Sequence, residues 1–222
     1  MGKIDESSCY DNYDAEAYKN IKKANQGVKK SFYGVLKRIM DILLALIGLV
    51  IGIPLIIIFG MAIALETKGG VFYSQERVGK DGKIFKIYKL RSMVCNAEEN
   101  GAQWAINNDP RITKVGGFIR KKRIDEIPQL FNVIKGDMSI IGPRPERPTF
   151  TEEFNKEISG FINRLQIKPG ITGWAQVNGG YEITPIEKWE LDMYYIENKS
   201  IKLDLLIIFK TIEIVLTGVG AR

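Results

Sequence analysis

One short stretch of this sequence combines residue types that could act on a phosphate group. The string RKKRIDEIP covers residues 120–128, so four cations lead directly into Asp125 and Glu126. Pro128 is typical of a first helical turn, which predicts Asp125 at or near a helix N-terminus, where a carboxylate and a bound phosphate are both favoured. An ionised aspartate can attack phosphorus directly, and Glu126 is suited to Mg²⁺. Taken alone, the string is better explained in a simpler way. It would then be either an N-capping aspartate beside a solvated basic face or a cluster like a nuclear-localisation signal.

Two further segments combine polar side chains with residues that shape the backbone. The string GPRPERP at residues 142–148 places prolines on both sides of Arg144, and a rigidly held guanidinium suits bidentate phosphate contact. The string KPGITGWAQVNG at residues 168–179 has glycines that permit close backbone approach, and Trp174 could stack on a ring. Each has a simpler interpretation, a proline-rich surface loop for the first and a tight turn beside a core tryptophan for the second.

Composition excludes several kinds of site. The 222 residues include no histidine and two distant cysteines, Cys9 and Cys95, which excludes Ser-His-Asp and Cys-His catalysis, histidine-ligated metal sites and CxxC motifs. The net charge of +6 arises within residues 71–148, which hold 15 Lys and Arg against 9 Asp and Glu. This excess indicates an anionic partner such as phosphate, nucleic acid or anionic lipid. Zinc-finger spacings and RNP-type strings are absent, so nucleic acid is not indicated.

The elements that must position these residues begin with an uncharged run at residues 42–65. As a helix of about 1.5 Å per residue it is long enough to cross a bilayer core of about 30 Å. Lys and Arg flank it on both sides, which favours two cytoplasmic ends, and Pro54 near its midpoint predicts a break or kink. A hairpin-like re-entrant segment and a kinked spanning helix both remain open. Asp41 at the start of the run is expected to pair with Arg38 or Lys37.

The rest of the chain is expected to be globular. Residues 71–73 and 84–90 are β-rich with a turn at 80–82, which predicts a hairpin. Helices are predicted over 92–106, over 112–123 with an interruption near Gly116, and over 186–196, and an apolar stripe at helical spacing follows Ile124. Residues 201–217 are apolar with four charges and are expected to be core or to lie in a membrane interface.

Seven strings in this order resemble the bacterial sugar transferase family, the monotopic phosphoglycosyl transferases. The resemblance covers about residues 37–216. The strings are KRIMD (37–41), QERVG (75–79), FKIYKLRSM (85–93), DEIPQL (125–130), GDMS (136–139), GPRP (142–145) and PGITGWAQV (169–177). Each is modest alone, but their order and spacing together are highly specific. One departure is Ile53, which stands where the family often has serine before the proline.

The resemblance implies a reaction and assigns roles. The family transfers a sugar 1-phosphate from a UDP-sugar to undecaprenyl or another polyprenyl phosphate, releases UMP and so begins the synthesis of a surface polysaccharide or glycoconjugate. By resemblance Asp125 is the nucleophile that forms a covalent phosphosugar intermediate, and Asp125 and Glu126 are the candidate Mg²⁺ ligands. The residues predicted to contact phosphate or substrate are Arg120, Arg144, Lys89, Arg91, Arg147, Trp174 and Gln176. Those predicted to set the membrane segment are Pro54, Arg38 and Asp41.

The resemblance also implies an architecture. It is a mostly helical α+β fold, with a re-entrant membrane helix broken at Pro54, a small β-hairpin and amphipathic interfacial helices around an active site on the cytoplasmic face of the bacterial inner membrane. The expected divisions are a polar tail (1–36), the membrane helix (37–66), a catalytic domain (67–200) and a C-terminal interfacial helix (201–222). The expected partners are a UDP-sugar, undecaprenyl phosphate and the phospholipid membrane, without nucleic acid, and a homo-oligomer is left open. The competing functions are an anionic-lipid-binding module and a glycosyltransferase that releases UDP.

Overall fold

A computed structural model describes residues 32–99, 101, 109–179 and 183–217. Most of the predicted N-terminal tail (1–36) and the second half of the helix predicted over 92–106 lie outside these ranges. Over residues 92–99 the chain forms turns instead of the predicted helix. The amide of Val94 donates to the Arg111 carbonyl (2.9 Å) and Met93 forms an antiparallel bridge with Ile112. Within the segment, the amides of Ala97 and Glu99 donate to carbonyls three residues earlier, which is the pattern of turns and not of an α-helix.

The first helix, α1 (Phe32–Glu66), has 35 residues and includes the uncharged run. It is the one helix within the described residues that is long and apolar enough to cross a membrane. The helix continues through Pro54, where the sequence predicted a break or a kink, although proline cannot donate to the carbonyl four residues earlier. A helix can pass a proline with a local kink because the flanking turns keep their own hydrogen bonds. Whether α1 enters and leaves the membrane on one side is still a prediction.

One side of α1 packs against the globular part along its whole length. Ala45 lies in a cluster with buried residues of the second strand and of α3 (Gln129–Lys135), whereas Ile63 lies in a separate cluster near the other end. Between these clusters two glycines allow close approach, because a Cβ at Gly48 or Gly52 would lie 2.9 Å from Leu130 or 2.4 Å from Ile127. The other side of α1 exposes large apolar side chains such as Val50, which is 75% exposed.

Polar contacts attach both ends of α1 to the same globular part. Near its start, Arg38 donates to the carbonyls of Val133 (2.7 Å) and Ile134 (2.9 Å) in α3, which is a favourable position for a cation at a helix C-terminus. Asp41 is buried and accepts hydrogen bonds from the Ser139 hydroxyl (2.9 Å) and the Ile140 amide (3.0 Å). Its predicted local partner Lys37 lies 3.8 Å away.

The opposite end of α1 is held by Glu66. Its carboxylate accepts hydrogen bonds from the amides of Lys114 (2.7 Å) and Val115 (3.1 Å). These amides begin α2 (Lys114–Lys121), whose first N–H groups have no partner within the helix. The predicted interruption of this helix is absent. Gly116 instead allows the helix to approach the Ser92 carbonyl, since a Cβ at Gly116 would lie 2.0 Å from that oxygen.

The predicted hairpin is formed by β1 (Phe72–Val78) and β2 (Ile84–Leu90), which pair antiparallel with Val78 opposite Ile84. A 3-10 turn, Lys80–Gly82, connects them, and Asp81 in this turn has a left-handed φ of 57°. The buried side chain of Asn132 joins α3 to the hairpin, because it donates to the Lys86 carbonyl (2.7 Å) and accepts from the Tyr88 amide (3.3 Å).

The remaining elements are mostly helical and include a second pair of strands, which is parallel and which the sequence did not predict. In chain order they are a 3-10 turn (Ile124–Glu126), α3, β3 (Ser139–Ile141), α4 (Pro148–Glu157), a 3-10 segment (Phe161–Gln166), β4 (Gly170–Thr172), α5 (Trp174–Asn178), α6 (Pro185–Asn198) and α7 (Ile201–Thr217). β3 pairs with β4. The predicted mostly helical α+β fold is confirmed. A capping box of Thr184 and Glu187 begins α6, and α7 buries Ile207 while it exposes Phe209.

Candidate active site

The two adjacent carboxylates lie in the 3-10 turn between α2 and α3. Arg123 precedes them with a left-handed φ of 55°, which turns the chain sharply before Asp125 and Glu126. The turn is followed by Pro128 as the N-cap of α3, so Asp125 lies in the turn before the helix rather than in its first turn. Both carboxylate residues are buried, with 6% and 7% of their surface exposed. A buried carboxylate requires cations or hydrogen-bond donors nearby to offset its loss of hydration. Glu126 and Asp125 differ in how many such partners they have.

Three cations surround Glu126. Lys89 Nζ lies 2.9 Å and Arg144 Nη2 lies 2.6 Å from Glu126 Oε1, and Arg123 Nη1 lies 3.6 Å from Oε2. Burial alone would raise the pKa of Glu126, but the charges of Arg144 and Lys89 outweigh it and hold the pKa well below its usual range. Glu126 is therefore a permanent anion that holds two cations beside Asp125.

Asp125 is far less constrained. Its nearest cation is Lys89, whose Nζ lies 4.0 Å from Asp125 Oδ2, and no group in the described ranges donates a hydrogen bond to its carboxylate. Burial raises the pKa of Asp125 to about 6, with a further increase from Glu126, whereas Lys89 and Arg120 lower it. The carboxylate is thus mostly ionised at pH 7, poorly solvated and not hydrogen-bonded. This is the condition expected of a reactive oxygen nucleophile.

The predicted phosphate-binding cations separate into two groups. Lys89 of β2 and Arg144 of the GPRP loop contact the carboxylate pair directly. Arg120 near the end of α2 is close enough to lower the pKa of Asp125, and it forms no ion pair within 4 Å among the described residues. These three cations make the surroundings of Asp125 favourable for an anionic ligand.

Arg91 and Arg147 are engaged elsewhere. β2 ends at Leu90, and the buried guanidinium of Arg91 donates to the carbonyls of Lys68 (2.7 Å) and Thr67 (2.9 Å), just beyond α1. Arg147 is paired with Glu98. The structure therefore places neither guanidinium in contact with the carboxylate pair.

Trp174 and Gln176 begin α5 and have different surroundings. The indole of Trp174 stacks on Tyr194 with 5.7 Å between ring centroids, and Lys210 Nζ lies 5.2 Å from its ring. It belongs to the cluster around Tyr195 and Ile207, as the simpler interpretation of a packed tryptophan predicts. Gln176 lines a cavity beside Glu126.

That cavity has a volume of ≈ 190 Å³ and lies between α3, α5 and α7. Its apolar lining consists of Ile127, Leu130, Ile171, Val177, Ile214 and Val215. Arg123, Glu126 and Gln176 provide polar groups, and the hydroxyls of Thr172 and Thr211, also in the lining, are hydrogen-bonded to each other at 2.8 Å. Glu126, the second residue of the carboxylate pair, thus borders a largely apolar space.

A buried ion-pair network behind the GPRP loop was missed by the sequence reasoning. Arg164, which is 2% exposed, pairs with Asp192 (Nη2 to Oδ2, 2.5 Å) and lies 3.8 Å from Glu146. Glu146 is also paired with Lys188. Arg164 Nη2 donates to the main-chain carbonyl of Arg144 at 2.9 Å. The network therefore fixes the backbone from which Arg144 reaches Glu126.

The donor set around Asp125 can be tested against Mg²⁺. This ion is commonly held by one or two carboxylates with substrate phosphates and water. Asp125 offers carboxylate oxygens that accept no hydrogen bond within the described ranges, and Glu126 Oε2 has only a distant guanidinium at 3.6 Å. No group of three metal-ligating side chains occurs in this part of the chain. Asp125 and Glu126 are therefore suited to hold a magnesium ion, and substrate phosphates and water would supply the remaining ligands.

Comparison with known proteins assigns the chain to a family. The profile of the bacterial sugar transferase family matches residues 32–218. The chain belongs to this family. The match includes every element of the site described above, from Arg38 on α1 to the cavity lining on α7. The resemblance inferred from the seven strings is confirmed.

Three similar sugar transferases show how the match is distributed. The UDP-N-acetylgalactosamine-undecaprenyl-phosphate N-acetylgalactosaminephosphotransferase of Aeromonas hydrophila is 52% identical over 81% of this chain and 43% of its own length. A putative undecaprenyl-phosphate N-acetylgalactosaminyl 1-phosphate transferase of Bacillus subtilis is 64% identical over 54% of this chain and 68% of its own. The UDP-glucose:undecaprenyl-phosphate glucose-1-phosphate transferase of Escherichia coli is 42% identical over 72% and 35%. The chain thus spans less than half of two of these relatives.

Proposed function

We propose that this chain transfers a sugar 1-phosphate from a UDP-sugar to a polyprenyl phosphate and releases UMP. The observation that carries the proposal is the contrast within the carboxylate pair. Glu126 is neutralised by Lys89 and Arg144, whereas Asp125 next to it is buried, mostly ionised and without a hydrogen bond from the described residues. Burying an anion without hydrogen-bond partners costs folding free energy, so such a group is a candidate for a functional site. The names of the three relatives, each an undecaprenyl-phosphate sugar phosphotransferase or transferase, support the same reaction.

In the first step an Asp125 carboxylate oxygen attacks the phosphorus that carries the sugar. The new bond joins this oxygen to phosphorus, the bond from phosphorus to the bridging oxygen breaks, and UMP leaves with the electron pair. No general base is required because Asp125 is already ionised at pH 7. In the second step a phosphate oxygen of the polyprenyl phosphate attacks the same phosphorus, and Asp125 leaves as a carboxylate. The product is a polyprenyl diphosphate sugar.

The cations around the pair hold the phosphates and offset the charge that develops on them. Lys89 lies between the two carboxylates, and Arg144 and Arg120 border the same turn. Phosphoryl transfer depends mostly on positioning and charge neutralisation. Asp125 and Glu126 would hold a Mg²⁺ ion, which would supply further neutralisation of the diphosphate. Excess EDTA is accordingly expected to stop turnover without unfolding the protein, and Mg²⁺ to restore it.

The proposed location is the cytoplasmic face of the bacterial inner membrane. Arg38 and Asp41 at one end of α1 and Glu66 at the other are all bonded to the same globular part, although about 42 Å of helix separates Arg38 from Glu66. Because a polar domain stays outside the bilayer, a helix that contacts it at both ends is expected to have both ends on the same side of the membrane. The exposed apolar residues of α1 would then enter the bilayer, and the Lys and Arg on both flanks favour the cytoplasmic side.

The decisive experiment measures the nucleotide released by the purified full chain. Donors would include UDP-N-acetylgalactosamine and UDP-glucose, because the relatives are named for these sugars, with undecaprenyl phosphate as acceptor. We expect UMP from wild type and no turnover from Asp125→Asn. The matched control is Asp81→Asn in the turn between β1 and β2, where asparagine tolerates the left-handed φ of 57° as aspartate does, and it should retain activity. Near-wild-type turnover of Asp125→Asn would refute the covalent mechanism.

The product distinguishes the competing functions. Release of UDP would indicate a glycosyltransferase that passes on the sugar without its phosphate. Release of neither nucleotide with any donor, together with binding to anionic vesicles, would indicate a lipid-binding module.

A further inference from the structure

The cavity beside Glu126 has a mostly apolar lining that also includes charged and polar side chains. Side chains of α3, β4, α5 and α7 form its apolar part, among them Leu130, Val177 and Ile214. The volume of ≈ 190 Å³ exceeds the roughly 150 Å³ that suffices for a benzene-sized apolar molecule. Arg123 and Glu126 add charged groups to the same lining. A ligand that matches both parts has a branched or planar hydrocarbon portion joined to an anionic head.

The side chain of Gln176 is a second, independent observation that points to a ligand. Gln176 lines this cavity, and both polar atoms of its amide are removed from solvent without a hydrogen-bond partner in the described residues. Buried amides in native proteins nearly always have partners. An amide N–H can donate to a phosphate oxygen, so the unused donor suits the head of an anionic ligand.

The elements that line the cavity also carry the exposed apolar surface. α7, which contributes Ile214, exposes Phe209 and Leu216. Leu130 packs directly against α1 at Gly48, beside exposed Ile47. A hydrocarbon chain that leaves the cavity therefore meets the surface that the proposed function places in the bilayer, whereas its head stays beside Glu126, which follows the proposed nucleophile in the chain.

We propose that this cavity, here called the acceptor cavity, binds the isoprene unit nearest the phosphate of the polyprenyl phosphate. The inference rests on the proposed function. The phosphate lies among Arg123, Glu126 and Gln176, and the Arg123 guanidinium supplies the matching charge. Glu126 does not repel it strongly because Lys89 and Arg144 already neutralise that carboxylate. An acyl chain of a membrane phospholipid is the alternative occupant, and the test separates the two.

The test uses two substitutions, on two different helices, that reduce the volume of the cavity. Ile214→Trp on α7 and Val177→Phe on α5 each add volume to the lining. Ile212→Trp is the matched control, because Ile212 is on the same helix, 50% exposed, and not part of the lining. For each protein the KM for undecaprenyl phosphate and the KM for the UDP-sugar are measured. The exchange of labelled UMP into UDP-sugar without any acceptor is measured as well, because it reports the first step alone.

We expect both cavity variants to raise the KM for undecaprenyl phosphate by about tenfold, while the KM for the UDP-sugar and the exchange rate stay within about twofold of wild type. Ile212→Trp should change none of the three. An unchanged acceptor KM in both cavity variants, with exchange intact, would overturn the assignment and leave the proposed function standing, and it is also the result expected if a phospholipid occupies the cavity. Absence of exchange in wild type would refute the proposed function itself.

A measurement on the unmodified chain covers the case in which a variant does not fold. A polyprenyl phosphate with a photoreactive group on its first isoprene unit is cross-linked to wild type and the adducts are located by mass spectrometry. Adducts on Leu130, Val177 or Ile214 that excess undecaprenyl phosphate suppresses support the acceptor cavity. Adducts confined to the exposed side of α1 or α7 would contradict it.

Discussion

Arg164 Nη2 donates a 2.9 Å hydrogen bond to the main-chain carbonyl of Arg144, whose own guanidinium contacts Glu126 at 2.6 Å. The contact connects a buried ion pair with Asp192 to the carboxylate pair of the candidate active site. Arg77 supports the same loop, because its Nη1 donates to the Pro145 carbonyl at 3.1 Å. The position of Arg144 is therefore set by residues that do not contact the site.

Arg164→Lys tests this positioning role. Lysine keeps a positive charge between Asp192 and Glu146 but lacks the planar fork that reaches the Arg144 carbonyl as well. We expect kcat to fall by about tenfold or more, since small displacements of positioning groups are costly, while the fold and the KM for the UDP-sugar change little. Kinetics and thermal unfolding of the same detergent-solubilised samples provide the check.

The control for Arg164→Lys is Arg111→Lys, which alters an arginine paired with Asp109 (2.6 Å) before α2. It should leave kcat near that of wild type. If Arg164→Lys loses activity only in proportion to lost folded protein, Arg164 has a structural role and does not position Arg144.

Among the residues that the structure describes, Lys89 is the one whose ammonium lies within 4 Å of both carboxylates. Lys89→Met removes a cation that lowers the pKa of Asp125, so the pKa should rise above about 6 and less Asp125 is ionised at pH 7. We expect turnover at pH 7 to fall by about tenfold or more, with partial recovery at higher pH as Asp125 loses its proton. The pH profile of kcat/KM checks this, since its acidic limb should shift to higher pH.

Lys86→Met is the control for Lys89→Met, because Lys86 is an exposed lysine of the same strand. Its acidic limb should coincide with that of wild type. An equal shift in both variants would mean that the change reflects net charge and not contact with Asp125.

The sequence predicted those parts of the molecule that depend on local signals. The hairpin follows from alternating β-rich runs around Lys80–Gly82, and the long helix follows from an uncharged run whose length needs no tertiary information. Asp125 and Glu126 stood out because of the adjacent cations. The parallel pairing of β3 with β4 was missed because each strand has only three residues, too few for a periodic pattern.

Contacts between distant residues account for the rest. Arg164 and Asp192 are 28 positions apart, and neither belongs to a recognisable string. Arg91 was grouped with Lys89 because both are in one motif, but β2 ends between them. Beyond that point the Arg91 amide bonds to the Val71 carbonyl (2.8 Å) and its side chain turns to the end of α1. The structure therefore separates the Arg91 side chain from that of Lys89, and a role of Arg91 in binding substrate stays a prediction.

Glu146 gives the buried network a defined dependence on pH. Burial alone would raise its pKa, but Lys188 and Arg164 lower it to about 2, below the ordinary value of 4.5. A depressed pKa in the folded state contributes stability that is complete above the unfolded pKa of 4.5 and is lost as the pH falls toward 2. Asp192 in the same network has a pKa raised by burial, so its own titration offsets part of this loss in wild type.

Comparison with Glu146→Gln isolates the Glu146 contribution, because both proteins keep Asp192. We expect the variant to be less stable than wild type at pH 7, since it leaves Lys188 and Arg164 with fewer partners. The difference in free energy of unfolding should shrink by about 2 kcal/mol between pH 7 and pH 3. Chemical denaturation in detergent micelles measures it, and a difference that stays constant with pH would contradict a depressed pKa for Glu146.

The contacts at the two ends of α1 predict its topology. Arg38 and Glu66 both bond to the globular part, so the residues that precede and follow α1 should face the same compartment. Single cysteines are introduced as Lys30→Cys and Lys80→Cys in a background where Cys9 and Cys95 are serine. A membrane-impermeant maleimide should label neither site in intact cells and both sites after lysis. A spanning helix would instead expose one of the two sites outside the cell. Labelling of one cysteine in intact cells, with the other protected, would therefore establish a transmembrane α1. It would also mean that the contacts of Arg38 or Glu66 with the globular part are broken in the membrane.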